Sequence, residues 1–124
     1  MEYLSLWAKY SAGMHKLIQQ LLPELDNYVH NQWCSNQVID IAREILALCT
    51  RFQKISPPED FILEHDLMAI AAYYYTLAAR KIIVEIQQNG SIKSTLFIDY
   101  LKYGTYFRRL SAEYAHNRLS GIFM

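Results

Sequence analysis

The sequence predicts a small all-α protein, an antiparallel up-down-up-down four-helix bundle, and three observations predict it. Apolar residues recur three and four apart over long stretches, short polar or Pro/Gly-containing breaks divide those stretches, and no hairpin signal interrupts them. Connections of a few residues make consecutive helices antiparallel neighbours. At 124 residues the chain fits one domain, 1–124, able to bury about two thirds of its unfolded surface without disulfides or metals.

The first helix is carried by Leu4, Trp7, Ser11, Met14, Ile18, Leu21, Leu25 and Tyr28, one face with a single small polar exception. Pro23 falls inside this run. Its ring clashes with the carbonyl one turn earlier, so a kink near Gln19 to Leu22 is expected, with a full break as the alternative. The stretch Asn31 to Asn36 ends the helix, and Ser35 can cap the next one. Val38, Ala42, Ile45, Cys49 and Phe52 form the inner face of that second helix.

Ser56-Pro57-Pro58 forms the second break, where Ser56 and Glu59 have the spacing of a capping box. The third helix then presents Phe61, His65, Met68, Ala72, Tyr75, Ala79, Ile82 and Ile86. Gly90, in Asn89-Gly90-Ser91, can take the left-handed conformation that closes a helix. Leu96, Tyr100, Tyr103, Phe107, Leu110 and Tyr114 give the expected inner face of the fourth helix, which leads to a tail of Gly121 to Met124.

Composition narrows the function classes. Hydrophobic residues make up 52% and charged residues 19%, a balance that folds rather than stays disordered. Twelve basic residues cancel twelve acidic ones, so no bulk field attracts a polyanion, and nucleic acid is disfavoured as a partner. Cys34 and Cys49 have no CxxC spacing, which fits reduced thiols in a cytoplasmic protein. The first residues carry Glu2 and soon Lys9, unlike a secretory signal, and no uncharged run approaches the roughly 20 apolar residues of a membrane span.

The third helix has a second apolar stripe: Leu63, Leu67, Ile70, Tyr74, Leu77 and, after Lys81, Val84. Two residues of offset place it about 200° from the first stripe, so one core cannot receive both. Tyr73-Tyr74-Tyr75 fans over a similar arc, and tyrosine, of which the chain has ten, suits interfaces because its ring is apolar while its hydroxyl tolerates water. These residues point to a non-enzymatic interaction or scaffolding protein. It is expected to form a homodimer, or to dock another protein, through Leu63, Leu67, Ile70, Tyr73, Tyr74 and Leu77, with no cofactor; the alternative is a monomer whose third helix lies in the middle of its own fold.

Two alternatives rest on particular side chains. Glu113-x-x-His116 has the spacing by which a helix offers a carboxylate and an imidazole to one metal, and His65 is expected at the same end of the bundle. A mononuclear site of His65, Glu113 and His116 follows; a di-metal site would need a second such motif, which the chain lacks. His30 and Cys34, four apart, are a weaker ligand pair without a third member. Separately, Arg109 and His116, with six residues between, resemble the Arg-x4-6-His pattern of the HEPN superfamily, small helical bundles that often dimerise and many of which cut RNA. That resemblance implies that His116 acts on the ribose 2′-hydroxyl and that Arg109 stabilises the phosphate. It covers only this stretch and the helical character, and Leu110 stands where the pattern often has Asn or Asp. A phosphotransfer module would need a lysine near its histidine that His65 does not have, and no nucleotide-binding loop or nucleophile elbow is present.

Overall fold

The computed structural model describes residues 2–30, 35–90, 92 and 95–122. Among them are four α-helices and no strand: α1 (Glu2–His30), α2 (Ser35–Gln53), α3 (Ile62–Asn89) and α4 (Leu96–Ile122), with one 3-10 turn, Glu59–Phe61, leading into α3. Consecutive helices pack side by side, α3 between α2 and α4, and α1 against α2. Cross-bundle contacts place the start of α1 beside the start of α3 and the end of α4, the arrangement of an up-down-up-down bundle. The closing pair, α1 and α4, approaches far less than the others, so the bundle is open along that side.

α1 runs through Pro23 as one helix, so the full break is excluded. Pro23 offers no N–H to the turn before it, yet Leu21, Leu25 and Tyr28 on either side are all buried, and their packing holds the register. α2 buries Val38, Ala42, Ile45, Cys49 and Phe52 as expected. The polar break before it, Asn31 to Cys34, lies outside the described residues, and with it the His30–Cys34 ligand pair.

The capping box at Ser56 does not form. Pro58 stands in extended conformation at φ −69° and ψ 159°, and no side chain caps the following turn. Two consecutive prolines hold Ser56 away from the first free amides, and the amide of Phe61 donates instead to the Pro58 carbonyl at 3.0 Å. At its other end α3 closes as expected. Gly90 has φ 72°, and its N–H donates to the Ile86 carbonyl. The Gly90 carbonyl in turn accepts the buried Tyr28 hydroxyl at 2.8 Å, tying α1 to this turn.

α3 packs between α2 and α4, which accounts for its inner apolar stripe but leaves the second one partly exposed. The segment Glu59–Asn89 is long and apolar enough to cross a membrane by length and composition, a test that the core helix of a bundle also passes. Its Met68, Ala71, Ala72, Tyr75, Ala78, Ala79 and Ile82 fill the core, with α2 on one flank and α4 on the other. Each large side chain buried there contributes about 1.5–3 kcal/mol.

In α4 the expected inner face is corrected. Leu96, Tyr103 and Tyr114 are exposed, and Tyr100, Phe107 and Leu110 only half buried. The buried face is Phe97, Leu101, Gly104, Ser111 and Ala115, one residue further along. Small residues win that face because α4 lies very close to α3. A Cβ on Gly104 would sit 2.8 Å from two carbons of the Tyr75 ring, so only glycine lets the ring press on the helix backbone.

Candidate interaction surface

Turning α4 by one residue sends its large side chains outward, beside the second stripe of α3. Tyr74 of α3 lies against Tyr103 (5.3 Å between ring centres), Phe107 (5.9 Å) and Tyr100 (6.4 Å) of α4. Tyr73 meets Tyr74 edge-on at 5.5 Å, and Tyr106 meets Phe107 in the same way at 5.2 Å. Six rings thus form one connected network across the outer α3/α4 seam. Offset and edge-to-face pairs of this kind contribute about 0.5–1.5 kcal/mol each beyond burial.

The residues expected at an interface fall on or beside this seam. Leu63, Ile70 and Tyr73 are exposed, Tyr73 by 57%, and Val84 continues the line. Leu67, Tyr74 and Leu77 are half buried; Tyr74 is covered on one side by the α4 rings, a contact that the stripe pattern alone did not foresee. On α4, Tyr103, Tyr106 and Tyr114 are exposed by 52%, 60% and 44%, so the surface is two helices wide.

At the end of the bundle near the start of α3 a polar cluster crosses three helices. Glu64 is only 1% exposed, and its Oε1 accepts from both Nε and Nη2 of Arg118 at 2.8 Å. Oε2 takes no hydrogen bond among the described residues. The Arg118 guanidinium also lies 5.7 Å from the Phe61 ring centre, a cation–π distance. The Trp7 indole N–H donates to Ser111 Oγ at 3.1 Å, and that hydroxyl donates to the Glu64 backbone carbonyl at 2.7 Å. His65 Nδ1 and the Tyr3 hydroxyl share a hydrogen bond of 2.8 Å, and the His65 ring stacks on Phe52. Burial pushes Tyr3 up to about 12, helped by the negative charges of Glu64 and Asp66. Burial also lowers His65, with Asp66 opposing.

α4 therefore turns Ser111 and Arg118 toward Glu64, not Glu113 and His116. The latter two are exposed on other faces of the helix, and no group of three or more His, Cys, Asp or Glu is placed to hold a metal among the described residues. Arg109 and His116 are both exposed on α4; Arg109 lines the open side between α1 and α4 together with Glu113. Cys49 is free and buried, its thiol pushed up by that burial, which leaves little nucleophilic thiolate.

Glu64 had a signal in the sequence, a carboxylate between Phe61 and Met68 on the inner stripe. Gly104 and Ser111 had none that hydrophobic periodicity could register. The geometry defines a class, an all-α four-helix bundle with an aromatic outer seam. No family model, curated protein or solved structure matches the chain.

Proposed function

We propose that this chain is a non-enzymatic interaction or scaffolding protein that forms a homodimer through the outer α3/α4 seam. The observation that carries the reading is the exposed run of Leu63, Ile70 and Tyr73 beside Tyr103, Tyr106 and Tyr114. From Leu63 to Val84 the face is about 30 Å long at 1.5 Å per residue, and two helices make it about 20 Å wide. That area, about 600 Å², stands at the upper end of the largest apolar patch on an ordinary monomer and approaches the roughly 800 Å² that each partner gives to a stable interface.

A second copy is the occupant that this face suits. Leu63, Leu67, Ile70, Tyr74, Tyr103, Phe107, Leu110 and Tyr114 carry no charge, and Lys81, the charged residue on the α3 stripe, is paired with Glu85 of its own helix at 3.6 Å, so two copies can meet with little like-charge repulsion. Sedimentation at micromolar concentration tests the reading. The wild-type chain is expected as a dimer and Tyr73→Glu, a change at an exposed site, as a folded monomer. A wild-type monomer, or a dimer untouched by both Tyr73→Glu and Ile70→Glu, refutes it.

A further inference from the structure

The open side of the bundle is a second feature, which borders the seam at Tyr106 and Leu110. Between α1 and α4 runs a groove of about 510 Å³, within the roughly 300–1,000 Å³ of small-molecule sites. Ile18 and Leu22 of α1 form one wall, and Phe97 and Leu101 of α4 the floor. Leu22 is 53% exposed and Ile98, on the rim, 39%, so apolar surface here faces out rather than into the core.

The polar groups of the groove are few and unevenly charged. Lys102 and Arg109 line it seven residues apart, about 10 Å along α4, with the Thr105 side chain between them. Among the described residues neither cation forms an ion pair. Glu113, one turn beyond Arg109, is the single acid of the lining.

We propose that this groove binds a single-chain amphiphile with an anionic head, a free long-chain carboxylate. The head lies between Lys102 and Arg109, where two charge-assisted contacts meet it, and Glu113 repels it from the far end. The tail runs along Ile18, Leu22, Phe97 and Leu101. A protein partner fits less well, because the walls of such a groove offer far less than the roughly 800 Å² that a specific interface takes from each side.

Titration calorimetry of the full chain with decanoate and dodecanoate, below their micelle concentrations, tests the proposal. Saturable binding is expected, tightening by up to about fourfold per added methylene until the groove is filled. Dodecanol is expected to bind at least tenfold more weakly than dodecanoate. Lys102→Met combined with Arg109→Met should weaken dodecanoate about tenfold and leave dodecanol unchanged, and Leu22→Asp should weaken both. These three sites are exposed, so unchanged melting temperatures verify the fold of the variants. Absence of saturable dodecanoate binding overturns the proposal, as does equal binding of acid and alcohol, or indifference to Leu22→Asp. Binding only to anionic vesicles, or a loss of dimer mass in Ile98→Glu, would assign the groove to a membrane surface or a second copy and would also overturn it.

Discussion

Replacing Gly104 by alanine sets two opposed effects against each other, and the structure decides the sign. In an isolated helix the change is favourable by about 0.8–1 kcal/mol, because glycine has more backbone freedom to lose. Here the new methyl would lie 2.8 Å from two Tyr75 ring carbons and 3.1 Å from a third. Tyr75 is fully buried and cannot swing aside cheaply: its hydroxyl is within 3.0 Å of Thr105 Oγ1 and accepts from Arg108 Nε at 3.1 Å. Relief requires α4 to move off α3, an overpacking cost of about 1–3 kcal/mol, or the loss of two hydrogen bonds worth about 1 kcal/mol each. After the propensity gain is subtracted, a net destabilisation of about 1 kcal/mol remains by either route. It should be read from urea unfolding, with a fall of several degrees in melting temperature as a second readout. The cost should shrink in a Tyr75→Leu background, where the ring is gone, giving a positive coupling in the double-mutant cycle. If Gly104→Ala is neutral or stabilising in the wild-type background, the close approach of α4 to α3 is refuted.

Three other outcomes follow from the polar cluster. Arg118→Met strands the buried Glu64 carboxylate; because Arg118 is 40% exposed, the loss should fall between that of surface and fully buried pairs, about 2 kcal/mol. Adding Glu64→Gln to that variant should restore part of the loss in denaturant unfolding, and no effect of Arg118→Met would show that the pair is idle. In alkali, Tyr3 holds its proton more tightly folded, at about 12, than at the ordinary 10.0, so its contribution is complete below pH 10 and is lost as pH rises toward 12. Tyr10 and Tyr28, also raised by burial, act in the same direction. Stability measured across this range should fall less steeply in Tyr3→Phe; identical slopes would contradict the assignment. In acid, His65 is lowered from 6.5, so its share is complete above that value and fades as pH falls through it. Unfolding between pH 7 and 5 should show this loss, and a His65→Gln chain that keeps the full slope would contradict it.

The elements legible from the sequence were those in which large apolar residues do the packing. Val38 to Phe52 in α2 and Met68 to Ile86 in α3 obey their period because both helices bury a wide stripe against neighbours. Gly90 was legible because a left-handed closing residue has almost one candidate type. The α4 face was misread for a physical reason: periodicity follows the largest residues, whereas close helix packing selects the smallest, here Gly104, Ser111 and Ala115. The expected grouping of His65, Glu113 and His116 is not assembled among the described residues. Glu113 and His116 lie on the exposed side of α4, while Ser111 and Arg118 reach Glu64. The α3 stripe was visible as a surplus of apolar residues, but its half-covering by the α4 rings depends on the relation of two helices, which no single-helix pattern contains.

That rotation also ties the fold to the proposed association. A helix that gives its core only Phe97, Leu101 and small residues buries less apolar area per turn than α2 or α3. It compensates by proximity, through backbone contact at Gly104 and the Tyr75, Thr105 and Arg108 hydrogen bonds, which fix its rotation as well as its distance. With the rotation fixed, Tyr103, Phe107 and Tyr114 have nowhere to go but outward, and the two-residue offset of the second α3 stripe places Leu67, Ile70 and Tyr74 beside them. The seam is thus a consequence of how the core closes. A charged residue on the seam should remove the proposed self-association without entering the core, whereas a methyl on the buried side, at Gly104, should disturb core and seam together, because one contact sets the position of both.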